Sequence, residues 1–280
     1  CSMNKEDLIK INVDTVLRER LPRHYRYIPK WVIRWVERTI CQDQLNELLE
    51  YAYPKQDAEF CHAVLEKLNV KYKIIGEENL MPTSQRRVVF VSNHPLGALD
   101  GIVMIDYVSK RYGGILKFVV NDLLMAVKPL EGVFLPINKH GRQSRRASVS
   151  IDDAFSGNDP IIIFPAGLCS RRQKDGTIKD LEWRKMFVNK CAEYHRDIIP
   201  VHFDAENSSF FYKFAKFRTH LGLKLNIEMI YLPREIFRCK NECFQLTIGE
   251  PIAWNNLKTG LHAQSQANEI KEIVYNLKQS

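Results

Sequence analysis

The chain has no apolar stretch of the roughly 20 residues that a membrane-spanning helix needs. Its longest candidate, Ile115 to Ile137, is broken by Lys117, Asn121, Asp122, Lys128 and Glu131. No secretory leader pattern stands at the front. The seven cysteines are odd in number and irregularly spaced. They make no disulfide framework, and free thiols in a reducing compartment are expected. The eight histidines show no close pairing and Cys239-x3-Cys243 lacks companion ligands, so no metal site is expected. No helix-turn-helix, zinc-finger or RNA-binding signature points to nucleic acid. Internal repeats and low-complexity tracts are absent, as is glycine before Gly76.

What is present is a globular composition. At 280 residues the chain is long enough for one large α/β domain, or a domain with a smaller appendage, and 45% hydrophobic with 26% charged residues makes it globular rather than disordered. The net charge of +8 and a pI near 9.0 favour acidic partners such as a membrane surface, an acidic carrier protein or a phosphorylated substrate. Residues 1–70 read as an N-terminal helical segment, with apolar residues at helical spacing around Lys30–Tyr51 and Asp57–Leu68. Residues 71–280 alternate short β-type runs with helical stretches. The runs are Lys71–Ile75, Val88–Val91, Leu116–Val120, Ile161–Phe164, Ile198–Phe203, Leu225–Tyr231 and Gln245–Ile248, with a last helix over Gln264–Leu277. This order predicts an α/β fold: a mixed, largely parallel sheet covered by helices.

Two of these runs end in motifs that can carry chemistry. Val88–Val91 stops at Ser92-Asn93-His94-Pro95-Leu96-Gly97-Ala98-Leu99-Asp100. Pro95 and Gly97 read as a turn, which puts His94 at the carboxyl end of a strand, where open α/β sheets bind ligands. Asp100 falls near the start of the next helix. A carboxylate on one ring nitrogen fixes the tautomer and frees the other nitrogen as a base. The other run, Ile161–Phe164, gives way to Pro165-Ala166-Gly167-Leu168-Cys169-Ser170-Arg171-Arg172. Amides freed at such a turn can face an oxyanion, and the arginines can hold a phosphate or carboxylate.

Taken together, the motifs resemble the glycerolipid acyltransferase family, which includes the lysophosphatidate acyltransferases. The family's first block matches Asn93, His94 and Asp100. Its next block resembles Gly132 to Lys139, its third resembles Phe164 to Ser170, and its fourth resembles Ile198-Ile199-Pro200-Val201. The blocks keep the family's order over about residues 70 to 250. Two departures stand out: His-x5-Asp replaces the family's His-x4-Asp, and Ala166 stands where the family has Glu. Both departures resemble the hemolysin-like branch, which includes enzymes that O-acylate lyso forms of ornithine and glycine lipids. Asn207-Ser208-Ser209-Phe210-Phe211-Tyr212 is also similar to that branch.

The resemblance implies acyl transfer from a thioester, on acyl carrier protein or coenzyme A, to the hydroxyl of a lyso-lipid. It requires no cofactor beyond the acyl thioester co-substrate. His94 is expected as the base with Asp100 as its partner. Asn93, Lys139, Arg142, Phe164, Pro165, Ala166, Gly167, Ser170 and Arg171 are expected to line or grip the substrates. Cys169 is expected to be a small buried thiol rather than a nucleophile. Phosphatidate synthesis, a thioesterase and a silent lipid-binding protein remain as alternatives.

Between Arg18 and Arg38 lie seven Arg/Lys residues against two Glu, interleaved with Tyr25, Tyr27, Trp31 and Trp35. This pattern suits either a helix lying in a membrane interface or one packing its Trp stripe on the domain. A further aromatic-basic stretch runs from Phe210 to Arg218. The expected location is cytoplasmic, peripheral on the inner face of the cell membrane.

Overall fold

The computed structural model describes residues 10–121, 127–137, 151–222 and 226–279. Four helices open the chain: α1 (Val13–Arg20), α2 (Lys30–Thr39), α3 (Gln42–Ala52) and α4 (Asp57–Leu68). The segment expected around Lys30–Tyr51 is two helices. Cys41 adopts a left-handed φ of 53° between them, a conformation that cannot continue a right-handed helix.

Seven strands form one sheet, numbered in chain order: β1 (Lys71–Ile75), β2 (Val88–Ser92), β3 (Lys117–Asn121), β4 (Phe134–Ile137), β5 (Ile161–Ile163), β8 (Asp197–Asp204) and β9 (Cys243–Ile248). Their spatial order is β1-β9-β8-β2-β5-β3-β4. Only β8 and β9 pair antiparallel; the other five neighbouring pairs are parallel. The pair β6 (Arg171–Arg172) and β7 (Ile178–Lys179) makes a separate small hairpin. The mixed, mostly parallel sheet is the one the sequence predicts.

Helices cover both faces. Alternate residues of β2 divide between two cores: Val88 and Phe90 join α4 and α5 (Leu99–Tyr112), while Val89 and Val91 join α6 (Met186–Glu193) and α9 (Ala263–Asn276). All five residues of β2 are buried, as a strand covered on both faces must be. Two further helices, α7 (Ser209–His220) and α8 (Leu232–Arg238), pack near the carboxyl end of the sheet beside Cys169.

Two differences from the sequence reading have physical causes. β4 is not among the expected strands because Pro136 interrupts its run. It sits at the sheet edge, where a missing N–H is tolerated. Conversely, the alternation of Leu225–Tyr231 suggests a strand, but Ile227–Tyr231 is a 3₁₀ helix. Glu228 and Tyr231, three residues apart, are its two buried side chains, and three is the 3₁₀ period.

Candidate active site

Strands β2 and β5 run side by side in parallel, Val91 opposite Ile163, so their two terminal turns meet at the carboxyl edge of the sheet. The turn after β2 carries His94. Its Nδ1 lies 2.9 Å from Asp100 Oδ2, and the carboxylate is fully buried at the start of α5. The same Asp100 oxygen accepts the N–H groups of Leu96 at 2.9 Å and Gly97 at 3.3 Å. Asp100 therefore orders the whole turn as well as the ring. Nothing among the described residues hydrogen-bonds the other ring nitrogen, Nε2. Burial works against a charged His94 ring, but the charge and hydrogen bond of Asp100, helped by Asp180, outweigh it and raise the pKa above its ordinary value.

The turn after β5 packs against the first. The Phe164 ring stacks on the His94 ring, centroids 4.2 Å apart and 13° from parallel. Ser170 donates its N–H to His94 O at 2.8 Å. Gly97 has a φ of 82°, and a Cβ there would come within 2.9 Å of Cys169 Cβ, so the two turns can touch only if that residue is glycine. Ala166 is buried with Ile163 and Phe187 in the core that joins α6 and α9. It brings no carboxylate to the site.

Asp180 fastens the two turns together. It is 2% exposed and receives the His94 N–H on both oxygens (3.1 and 3.3 Å), Ser170 Oγ at 2.6 Å and Trp183 Nε1 at 2.9 Å. Burial pushes its carboxyl above the usual range, against the pull of those hydrogen bonds. Asn207 closes the arrangement from the other side, donating its amide to Pro95 O and Leu96 O.

Several expected substrate contacts have other occupations. Asn93 is 3% exposed; its amide donates to Phe203 O at 2.9 Å and its oxygen accepts Phe203 N–H at 2.7 Å. It thus bridges to β8, which continues past the end of β2, with both polar atoms of its buried side chain engaged there. Arg171 pairs with the buried Glu228 at 2.8 Å and donates to Cys169 O. Arg218 pairs with the same carboxylate at 2.8 Å. The Arg171 guanidinium is thus engaged inside the protein rather than left open toward the cavity. Lys139 and Arg142 lie outside the described residues. Ser170 faces Asp180, as above, and Phe164, Pro165 and Gly167 border the open space.

That space has an apolar part of about 250 Å³, lined by His94, Gly97, Gly101, Phe118, Phe164 and residues of α3, α4 and α5 such as Leu49, Phe60 and Ile105. His94 is the one polar side chain among the described residues of its wall. Cys169 is fully buried, and desolvation raises its thiol pKa to about 11 although Arg171 opposes the shift. A protonated thiol is a poor nucleophile.

Sequence reasoning missed Asp180, Trp183, Asn207 and Glu228 as parts of the site. Asp180 lies 86 residues from His94 in a stretch without a predicted element, and no spacing links them. Asn207 had one signal, its place at the head of the branch-like Asn-Ser-Ser-Phe-Phe-Tyr run.

A histidine held by a buried carboxylate and opening onto an apolar cavity is an arrangement that can take a proton beside an aliphatic substrate. The acyltransferase family model matches residues 15–280, and the chain belongs to that family. The chain is 42% identical over 278 residues to the lyso-glycine lipid O-acyltransferase of Phocaeicola vulgatus, covering 99% of this chain and 98% of the relative. It is 40% identical over 275 residues to the protein of the same name from Bacteroides thetaiotaomicron, covering 98% and 100%. Among solved structures, the 1-acyl-sn-glycerophosphate acyltransferase of Thermotoga maritima aligns over 89% of this chain and 93% of its own, with 15% identity and a TM-score of 0.47. The chain is an acyltransferase.

Proposed function

We propose that this acyltransferase moves a fatty acyl group from an acyl thioester to the hydroxyl of an N-(3-hydroxyacyl) amino acid lipid, with lyso-glycine lipid as the preferred acceptor. The observation that carries the mechanism is the buried His94–Asp100 pair at 2.9 Å, with the other ring nitrogen unengaged among the described residues at the wall of an apolar cavity. His94 Nε2 takes the acceptor's hydroxyl proton as its oxygen attacks the thioester carbon. Asp100 stabilises the imidazolium that forms. The tetrahedral intermediate collapses by breaking the C–S bond, and the proton passes from His94 to the leaving thiolate. The products are an ester and a free thiol, and no acyl-enzyme is required. The thioester is carried by acyl carrier protein or coenzyme A, and its acyl chain occupies the apolar cavity.

Two things support an amino acid lipid over lysophosphatidate: the names of the two relatives above and the absence of a carboxylate at Ala166. Purified protein given an acyl thioester and equal amounts of N-(3-hydroxyacyl)glycine and lysophosphatidate should form the O-acylated glycine lipid first. Preferential appearance of phosphatidate would overturn the acceptor assignment.

The same reading has the protein working at a bilayer surface. No helix among the described residues is long and apolar enough to cross a membrane. Instead Tyr27, Trp31 and Trp35 are exposed on and before α2, beside Lys30, Arg34 and Arg38, and Trp31 is 71% exposed. An exposed aromatic stripe flanked by cations suits the interface of an anionic membrane. Binding to anionic vesicles should weaken as salt rises, and Trp31→Ala with Trp35→Ala should weaken it at every salt concentration. Unchanged binding in the double variant would remove α2 from the membrane contact.

A further inference from the structure

The apolar cavity beside His94 has a neighbour. This adjoining cavity of about 340 Å³ shares Val119, Val120, Phe164 and Gly167 with the first, so the two meet at the turn that stacks on the His94 ring. Its remaining walls are apolar, among them Ile163, Met186 and Phe187, with one charged side chain among the described residues, Arg184. The Arg184 N–H donates to Pro165 O at 3.2 Å, which fixes this residue's backbone to the turn. Its guanidinium makes no hydrogen bond or ion pair among the described residues. Arg184 is an exposed residue, whereas the neighbouring arginines that are half-buried or buried are engaged by the protein. Arg171 and Arg218 are paired with Glu228, and Arg196 is buried against the carbonyls of Ala154, Phe155, Gly157 and Asp159.

We infer that this adjoining cavity receives the head of the acceptor and that Arg184 binds its free carboxylate. The inference rests on the acceptor class proposed above and names the group that recognises it. A transfer between two lipids needs two compartments, one for the donor chain and one for the acceptor. These two meet at Phe164, which stacks on the ring of the base, although His94 itself lines only the first. The cavity beside His94 has no cation among the described residues and suits an uncharged acyl chain. The adjoining one places one cation at an apolar wall, the arrangement that suits a head carrying one anionic group and nothing else polar. A guanidinium grips a carboxylate through two parallel N–H···O bonds. An ornithine head adds an ammonium, for which the described walls offer no acceptor side chain, and Arg184 repels it. The cavity therefore selects glycine over ornithine.

The test compares N-(3-hydroxyacyl)glycine, its methyl ester and the ornithine analogue with the full chain and one acyl thioester. The wild type should use the free acid at a kcat/KM at least about 10-fold above the ester and the ornithine compound, the range a charge-assisted hydrogen bond supplies. Arg184→Gln should lower kcat/KM for the acid by about 10–100-fold, mainly through KM, and leave the ester within about twofold. Arg184→Lys should restore part of the loss. If Arg184→Gln lowers acid and ester equally, or neither, the assignment of Arg184 is wrong while the acceptor class stands. If the wild type acylates none of the three but acylates lysophosphatidate, the acceptor class itself is wrong and the inference falls with it.

Discussion

Strands β2 and β5 are parallel neighbours that end at the same edge of the sheet, and each gives way to a turn containing proline and glycine. The turn after β2 carries a titratable ring, and Asp100 at its end holds both the ring and two turn amides. The turn after β5 places an aromatic face on that ring, an alanine in the core and a thiol out of reach of solvent. In the proposed mechanism one turn supplies the reacting group and the other supplies its walls. Similar sequence punctuation therefore marks where a site is, and the side chains within each turn decide what that turn does.

Substitutions can break this division of labour. The largest effect belongs to His94→Ala, which should lower kcat/KM by about 10²–10⁴-fold or more while leaving the melting temperature close to that of the wild type. Asp100→Asn removes the charge that supports the imidazolium and weakens the order of the turn. It should cost about 10²-fold or more. Asp180→Asn should cost less, about 10–100-fold, because this residue holds the His94 backbone and acts on the ring only at a distance. It should also move the acidic limb of kcat/KM to lower pH. The sign follows from charge: Asp180 helps raise the His94 pKa, so losing its charge makes the ring neutral at lower pH. A purely structural Asp180 would lower the plateau and leave the limb in place. The smallest effect is expected from Cys169→Ala, within about threefold, since a desolvated thiol with a pKa near 11 is a poor nucleophile. Loss of activity there, with acyl-enzyme trapped in the wild type, would move the chemistry to the turn after β5.

Much of this comparison can be read from the chain itself. The strands β2, β5 and β8 follow from dense apolar runs, β1, β3 and β9 from shorter or alternating ones, and His94 with Asp100 follows from how abruptly one run ends. The edge strand β4 is not visible because Pro136 breaks its pattern, although Pro is acceptable at an edge. Ile227–Tyr231 misleads because alternating apolar residues fit a strand as well as a 3₁₀ turn that buries one charge, and the partners of Glu228, Arg171 and Arg218, lie on other elements. The internal partners of Asn93 and Arg171 are hidden in the sequence for the same reason. A polar side chain beside a motif resembles a substrate contact until the backbone or carboxylate that engages it is located. Asp180 is the converse case, a residue in an unremarkable stretch that the fold delivers to the centre of the site.

His94 acting as a base tuned by Asp100 is the central claim. The pH dependence of kcat/KM with the thioester and N-(3-hydroxyacyl)glycine, in the wild type and in Asp100→Asn, tests it most directly. The wild type should lose activity as pH falls through an inflection above the ordinary histidine value of 6.5, because the raised pKa protonates the base early. In Asp100→Asn the plateau should drop and the inflection should move to lower pH. A wild-type profile that is flat through the neutral range, or an inflection that stays in place when Asp100 loses its charge, would contradict the role given to His94.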